Sequence, residues 1–200
     1  VLEQEIYPVA DFLMDLHGGD VNEKATPFVY FPYETEEGVR DQARGGAASL
    51  SLPYRVRSSA QNGFYSWAAQ CGIPALLLER GGQGMWSERE IEAYKENVLE
   101  LMAHLKMTEM KKNVPEEQEE ISQSYYLEAP ERGFWYPAVK EAGQIIKKGE
   151  LLGQLKSMDG TLIASYYAEA KSVILYYTVS LGVQAGDPLI AYGSLESGLM

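Results

Sequence analysis

Two short segments carry the residue types that hydrolytic chemistry needs. They are Asp15-Leu16-His17-Gly18-Gly19-Asp20 and, far downstream, Glu79-Arg80-Gly81-Gly82. His17 follows the apolar run Phe12-Leu13-Met14 and precedes two glycines. That places an imidazole at the end of a buried strand, where the backbone turns. Asp15, two residues earlier, points to the same side of such a strand. The run Ile73-Pro74-Ala75-Leu76-Leu77-Leu78 ends in Glu79, a carboxylate at a second strand end. An imidazole and a carboxylate at two strand ends form part of a zinc hydrolase site, which takes three protein ligands and a water. The other histidine, His104, lies in a helical segment from Ser87 to about Lys106, with no acidic partner at ligand spacing. It reads as a surface or packing residue. His17 therefore has no second imidazole in this sequence, and the site is either incomplete or finished by residues outside the chain.

The elements that must hold these groups follow from hydrophobic periodicity and turn chemistry. Residues 1–8 read as the tail of a helix closed by Pro8, and residues 10–16 as a buried strand. Residues 18–34, with Pro27 and Pro32, read as a long loop whose aromatics Phe28, Tyr30, Phe31 and Tyr33 pack it onto the domain, or of which Asp20, Asn22, Tyr30 and Tyr33 line a cleft mouth. A short helix is predicted from Glu36 to Leu50 with Val39, Ala43 and Ala47 inward, then a strand over Tyr54–Arg57. Asn62-Gly63 marks a turn before a helix over Phe64–Gln70. Ile73–Glu79 reads as a strand buried on both faces. Ser87-Glu88-Arg89-Glu90 is a capping-box pattern, with Trp86 as its staple residue. It opens a helix with Ile91, Tyr94, Val98, Leu101, Met102 and Leu105 on its apolar face. Alternating strands and helices predict an α/β layer structure over 1–124. Lys111–Ser124 is polar and acidic and reads as a linker. From about Tyr125 the pattern becomes short strands with glycine turns. Ile146-Lys147-Lys148-Gly149-Glu150-Leu151-Leu152 is echoed by Val183-Gln184-Ala185-Gly186-Asp187-Pro188-Leu189. This twofold repeat predicts a small β-sandwich or barrel over 125–200.

Composition narrows the partners. Two hundred residues with 46% hydrophobic content bury a sizeable core. A net charge of -12 argues against nucleic acid or an anionic membrane as partner, since both need basic patches. The single cysteine, Cys71, excludes an internal disulfide, fits a reducing, cytoplasmic setting and reads as a small buried apolar residue. No apolar run approaches the ~20 residues of a membrane span. The chain opens without a Met, a basic region or a leader pattern, which reads as a truncation.

Together, Asp15-Leu16-His17-Gly18-Gly19, Thr26-Pro27-Phe28, Leu78-Glu79-Arg80-Gly81-Gly82 and Gly133-Phe134-Trp135-Tyr136-Pro137 resemble the succinylglutamate desuccinylase/aspartoacylase family. That family belongs to the wider zinc carboxypeptidase-like fold, a mixed sheet flanked by helices. The resemblance covers nearly the whole chain. It implies that His17 matches the third zinc ligand and Glu79 the catalytic carboxylate that activates a zinc-bound water against an amide carbonyl. Asp15 either orients His17 or caps the turn. The family's Gly-x-His-Gly-x-Glu segment, which supplies two more ligands, has no counterpart in these residues. The resemblance therefore implies a fragment of a longer enzyme, or a degenerate relative. Missing sheet neighbours favour association, a homo-oligomer included.

Other roles are thinner. Arg55 and Arg57 alternate on a short strand, so one of them is expected to face the site; Arg57 is the candidate clamp for a substrate carboxylate, against a structural or solvated role. Arg80 is expected on the opposite side from Glu79. The β-domain resembles biotinyl and lipoyl carrier domains, with Lys156-Ser157-Met158-Asp159-Gly160 at a comparable hairpin tip. The flanking signature of a carrier lysine is absent, so its expected role is to cover one end of a cleft for small substrates. The reading is a zinc-dependent deacylase of small N-acylated amino acids, with carboxypeptidase activity open and a non-catalytic interaction module as the alternative.

Overall fold

The computed structural model describes residues 1–109 and 118–196. The chain forms two compact units. The first comprises Val1–His17, Pro27–Glu79 and Trp86–Glu120; the second comprises Gly18–Thr26, Arg80–Met85 and the chain from Ile121 onward. The last division between the units falls at Glu120/Ile121, and two excursions next to the motif glycines join the second unit.

In the first unit a π-helical turn, Leu2–Ile6, runs into a 3-10 turn, Tyr7–Val9. The strands and helices that lie wholly or partly in this unit are β1 (Leu13–Gly18), β2 (Glu23–Pro32), α1 (Glu37–Ala47), β3 (Tyr54–Ser58), α2 (Phe64–Gln70), β4 (Ala75–Gly82), α3 (Glu88–His104) and β5 (Glu119–Ile121). Strand neighbours run β1, β4, β2, β3, β5. β2 and β3 are parallel, with Val29 opposite Arg55 and Phe31 opposite Arg57. β1 also runs parallel to β4, because Leu13 N–H donates to Pro74 C=O and Gly19 N–H to Arg80 C=O at one constant offset.

Alternation assigns the faces. Leu76 and Leu78 of β4 join Val29, Phe31, Ala43, Ala47, Leu50, Leu52 and Leu101 in one core, under α1 and α3. Ala75 and Leu77 join Tyr7, Leu13, Tyr65, Ala68 and Ile73 in the other, under α2. The strand is buried on both faces, as its unbroken apolar run predicts.

The expected loop over 18–34 is mostly strand. β2 pairs its first half, Glu23–Ala25, with β11 (Ser172–Thr178), and its second half, Phe28–Pro32, with β3. Pro27 falls between the two pairings and Pro32 ends the strand, so neither proline interrupts a ladder where these partners change. Trp86 is exposed and forms no staple, although Ser87 does cap α3, its hydroxyl accepting from Glu90 N–H at 3.2 Å. Cys71 is exposed, not buried. It caps the C-terminus of α2, and the chain reverses there at Gly72 (φ 88°). Part of the expected linker is β5, with Glu119 N–H bonded to Pro53 C=O at 2.9 Å; the rest of that segment, 110–117, lies outside the described residues.

The second unit is all β beyond Ile121 among the described residues. β6 (Ser124–Glu128), β13 (Pro188–Ser194) and β11 are antiparallel neighbours, with β8 (Ile145–Ile146) on β11. A second sheet runs β10 (Leu162–Tyr167), β9 (Leu151–Lys156), β7 (Gly133–Pro137), β12 (Gly182–Val183). Trp135, Leu152 and Leu155 from one sheet meet Ile174, Ile190 and Tyr192 from the other in a shared core. The repeat is structural. In one copy Lys147 N–H donates to the Glu150 carboxylate at 2.9 Å; in the other Gln184 N–H donates to that of Asp187 at 2.7 Å. The glycines between have φ 79° and 84°, a left-handed conformation that residues with a Cβ rarely adopt.

Candidate active site

Asp15, His17 and Glu79 converge within the first unit. On β1, alternation turns Leu13, Asp15 and His17 to one face; on β4 it turns Ala75, Leu77 and Glu79 to the same face. Because the strands are parallel neighbours, His17 and Glu79 emerge side by side at the two strand ends. His17 Nε2 lies 3.3 Å from Asp15 Oδ2, and His17 Nδ1 lies 3.4 Å from Glu79 Oε1. The imidazole is half-exposed while both carboxylates are largely covered. On α3, Tyr94 donates its hydroxyl hydrogen to the His17 carbonyl and ties that backbone in place. Periodicity had marked Tyr94 only as an apolar-face residue, and nothing local in the sequence distinguishes this role.

The glycines after each motif have a steric cause. A Cβ on Gly19 would sit 3.1 Å from Gly81 O and 3.1 Å from Gly82 Cα. At Gly82, with φ 136°, a Cβ would sit 2.2 Å from Glu23 O. Gln83, itself at φ 61°, then donates its N–H to the carbonyls of Asp20 and Glu23, both at 2.9 Å. The two turns following His17 and Glu79 are thus locked to one another by close backbone approach, which only glycine permits.

Arg57 is not brought to this group. Residues two apart on a strand share a face, so Arg55 and Arg57 point the same way, against the expectation that only one faces the site. Their registered partners Val29 and Phe31 belong to the core under α1 and α3, opposite the face of His17 and Glu79. Both arginines, with Arg44 of α1, close on Glu120 at 2.7–2.9 Å. Arg57 also lies over the Tyr33 ring at 4.4 Å. Burial pushes the Glu120 carboxyl up, but hydrogen bonds from Arg44, Arg55 and Arg57 outweigh it and hold the group at about 2. This cluster went unread because Glu120 lay in a segment taken for linker. His104 sits near Gly45 on the α1/α3 side and takes no part in the site.

The donor chemistry fits one metal-ligating imidazole. A neutral ring can offer one nitrogen to a metal while the other donates its N–H to a carboxylate. A zinc site needs three protein donors. Among the described residues no group of three or more His, Cys, Asp or Glu side chains has metal-holding geometry.

The model of the succinylglutamate desuccinylase/aspartoacylase catalytic domain matches residues 1–105. Similar solved structures include the ectoine utilization protein EutE (DoeB) from Ruegeria pomeroyi, at TM-score 0.83 and 18% identity over 96% of this chain and 61% of that one. A succinylglutamate desuccinylase/aspartoacylase from Rhodobacter sphaeroides gives TM-score 0.81 and 20% identity over 98% of this chain and 62% of that one. An aspartoacylase family protein from Mesorhizobium loti gives 0.77 and 16% over 98% and 60%. At these identities the likeness is one of fold, and the chain spans about three-fifths of each relative's length. No curated protein matches the chain in sequence. No helix among the described residues is long and apolar enough to cross a membrane. With its catalytic-domain match extending over more than half its length, the chain belongs to the succinylglutamate desuccinylase/aspartoacylase family.

Proposed function

We propose that this chain carries part of the active site of a cytoplasmic deacylase that hydrolyses the amide of a small N-acylated amino acid. The observation that carries the reading is the juxtaposition of His17 and Glu79 at neighbouring parallel strand ends. Glu79 acts as general base. It takes a proton from water as the oxygen attacks the amide carbonyl carbon, then returns it to the leaving nitrogen as the C–N bond breaks. A carboxylic acid and an amine result, and the acid's proton passes to the amine. Asp15 holds the His17 ring in orientation. His17 is the imidazole these residues offer to a zinc ion, whose remaining donors lie beyond them.

A second reading, a non-catalytic interaction module, is favoured by one observation: the described residues contain no three-donor group. Metal analysis after dialysis, with a His17→Ala control, and amine release from N-succinylglutamate and N-acetylaspartate, both measured with the remaining zinc donors supplied, separate the two. The deacylase reading expects zinc retained above the control and amine release about 10²–10⁴-fold lower in a folded Glu79→Gln variant. Equal zinc in both proteins and no amine release establish the second reading instead.

A further inference from the structure

Four of the chain's seven arginines sit around one carboxylate and one aromatic ring. Arg44, Arg55 and Arg57 close on Glu120. Arg40 and Arg57 both lie over Tyr33, at 5.4 and 4.4 Å from the ring centroid. The group belongs wholly to the first unit, on the face of its sheet opposite His17 and Glu79. Its charges do not balance. Three guanidiniums meet a single carboxylate, so two positive charges are left over. The acids nearest Arg40, Glu37 and Asp41, are exposed and stand off at 3.7 Å, where water screens them. Arg55 and Arg57 are mostly covered, and covering an unmatched charge is costly. The whole chain carries -12, so this excess is local and not general basicity.

The donors are not used up either. Arg55 gives Nε to Glu120 and Nη1 to Gln118 Oε1, at 2.9 and 2.6 Å. Arg57 gives Nε and Nη2 to the carboxylate. Arg44 reaches Glu120 with Nε alone, and its two terminal nitrogens have no partner among the described residues. Its side chain is half-exposed, so a solute can reach it. We propose that this cluster binds a small phosphate ligand, held by Arg44 with Arg40 and Arg57 beside it. A phosphate group carries about two negative charges at neutral pH and three acceptor oxygens. That matches the two unpaired charges, and a guanidinium fork takes two such oxygens side by side. A monocarboxylate would leave one charge unmatched. Glu120 stays in place and keeps the guanidiniums together, and the ligand adds to it. Bound there, the phosphate joins α1 to β3. The proposal is independent of the deacylase reading.

The test uses calorimetric titration and urea unfolding of the 200-residue chain. The probes are inorganic phosphate and phenyl phosphate at neutral pH, against sodium chloride at equal ionic strength. The expected result is one phosphate per chain, a Kd at or below about 1 mM, and a higher urea midpoint than in chloride. Tighter binding of phenyl phosphate identifies a phosphate ester as the ligand; equal or tighter binding of inorganic phosphate identifies the free ion. Arg44→Gln, at a half-exposed position, weakens binding at least about tenfold. Glu120→Gln takes away a like charge and tightens it at least about threefold, so phosphate restores part of the stability that this variant loses. His17→Ala leaves binding unchanged. Equal urea midpoints in phosphate and chloride, in both the native chain and Glu120→Gln, overturn the proposal. So does phosphate binding that survives Arg44→Gln intact, or that disappears in His17→Ala, because the anion would then lie elsewhere.

Discussion

Replacing Glu120 by Gln tests how the first unit holds its last strand. The Glu120 side chain is 11% exposed and accepts from three guanidiniums at 2.7–2.9 Å, of which that of Arg44 is 50% exposed. Glutamine keeps the shape but removes the charge, leaving three cations around a neutral amide. A carboxyl lowered from 4.5 to about 2 corresponds by linkage to about 3 kcal/mol. Water around Arg44 screens part of this, so a loss of about 1–2 kcal/mol is expected at neutral pH. The folded-state pKa is depressed, so the contribution is fully present above 4.5 and disappears as pH falls through about 2. Linkage leaves about two-fifths of it at pH 3. Urea unfolding of both proteins at pH 7 and pH 3, at two salt concentrations, reads this directly. The gap should shrink by more than half between the two pH values and narrow with salt. A gap under about 0.3 kcal/mol at pH 7, or one that is equal at both pH values, refutes the argument that charge pairing holds β5 to β3.

Three further substitutions probe packing and capping. Gly153→Ala places a Cβ 2.3 Å from the Trp135 ring and should destabilise the second unit by about 1–3 kcal/mol; unchanged Trp135 near-UV circular dichroism and an unchanged melting temperature would contradict it. Gly82→Ala combines φ 136° with a 2.2 Å approach to Glu23 O, so a loss above about 2 kcal/mol is expected in thermal unfolding. Ser87→Ala removes the acceptor for Glu90 N–H; about 1 kcal/mol should be lost, and Ser87→Asp should restore it.

Much of the first unit was legible because its signals are local. Residues a few positions apart carry the helical period of α1, the cap at Ser87 and the strand period that places Asp15 beside His17. β2 escaped because its prolines and aromatics read locally as a loop, while its strand state comes from β3 and β11, partners distant in sequence. Cys71 misled for a related reason: composition favours burial of a thiol, yet its position at a helix end before Gly72 leaves it in solvent.

The sequence by itself determined the candidates: an imidazole and a carboxylate each closing an apolar run and each followed by glycines, and two matched acid-closed turns in the β-rich half. Period-two alternation is a property of each strand alone and needs no partner. Only tertiary structure decided that β1 and β4 are parallel neighbours, which sets His17 3.4 Å from Glu79. It also decided that Arg55 and Arg57 turn away to Glu120. Strand order and register are set by burial between residues far apart in the chain, and no local pattern carries that information.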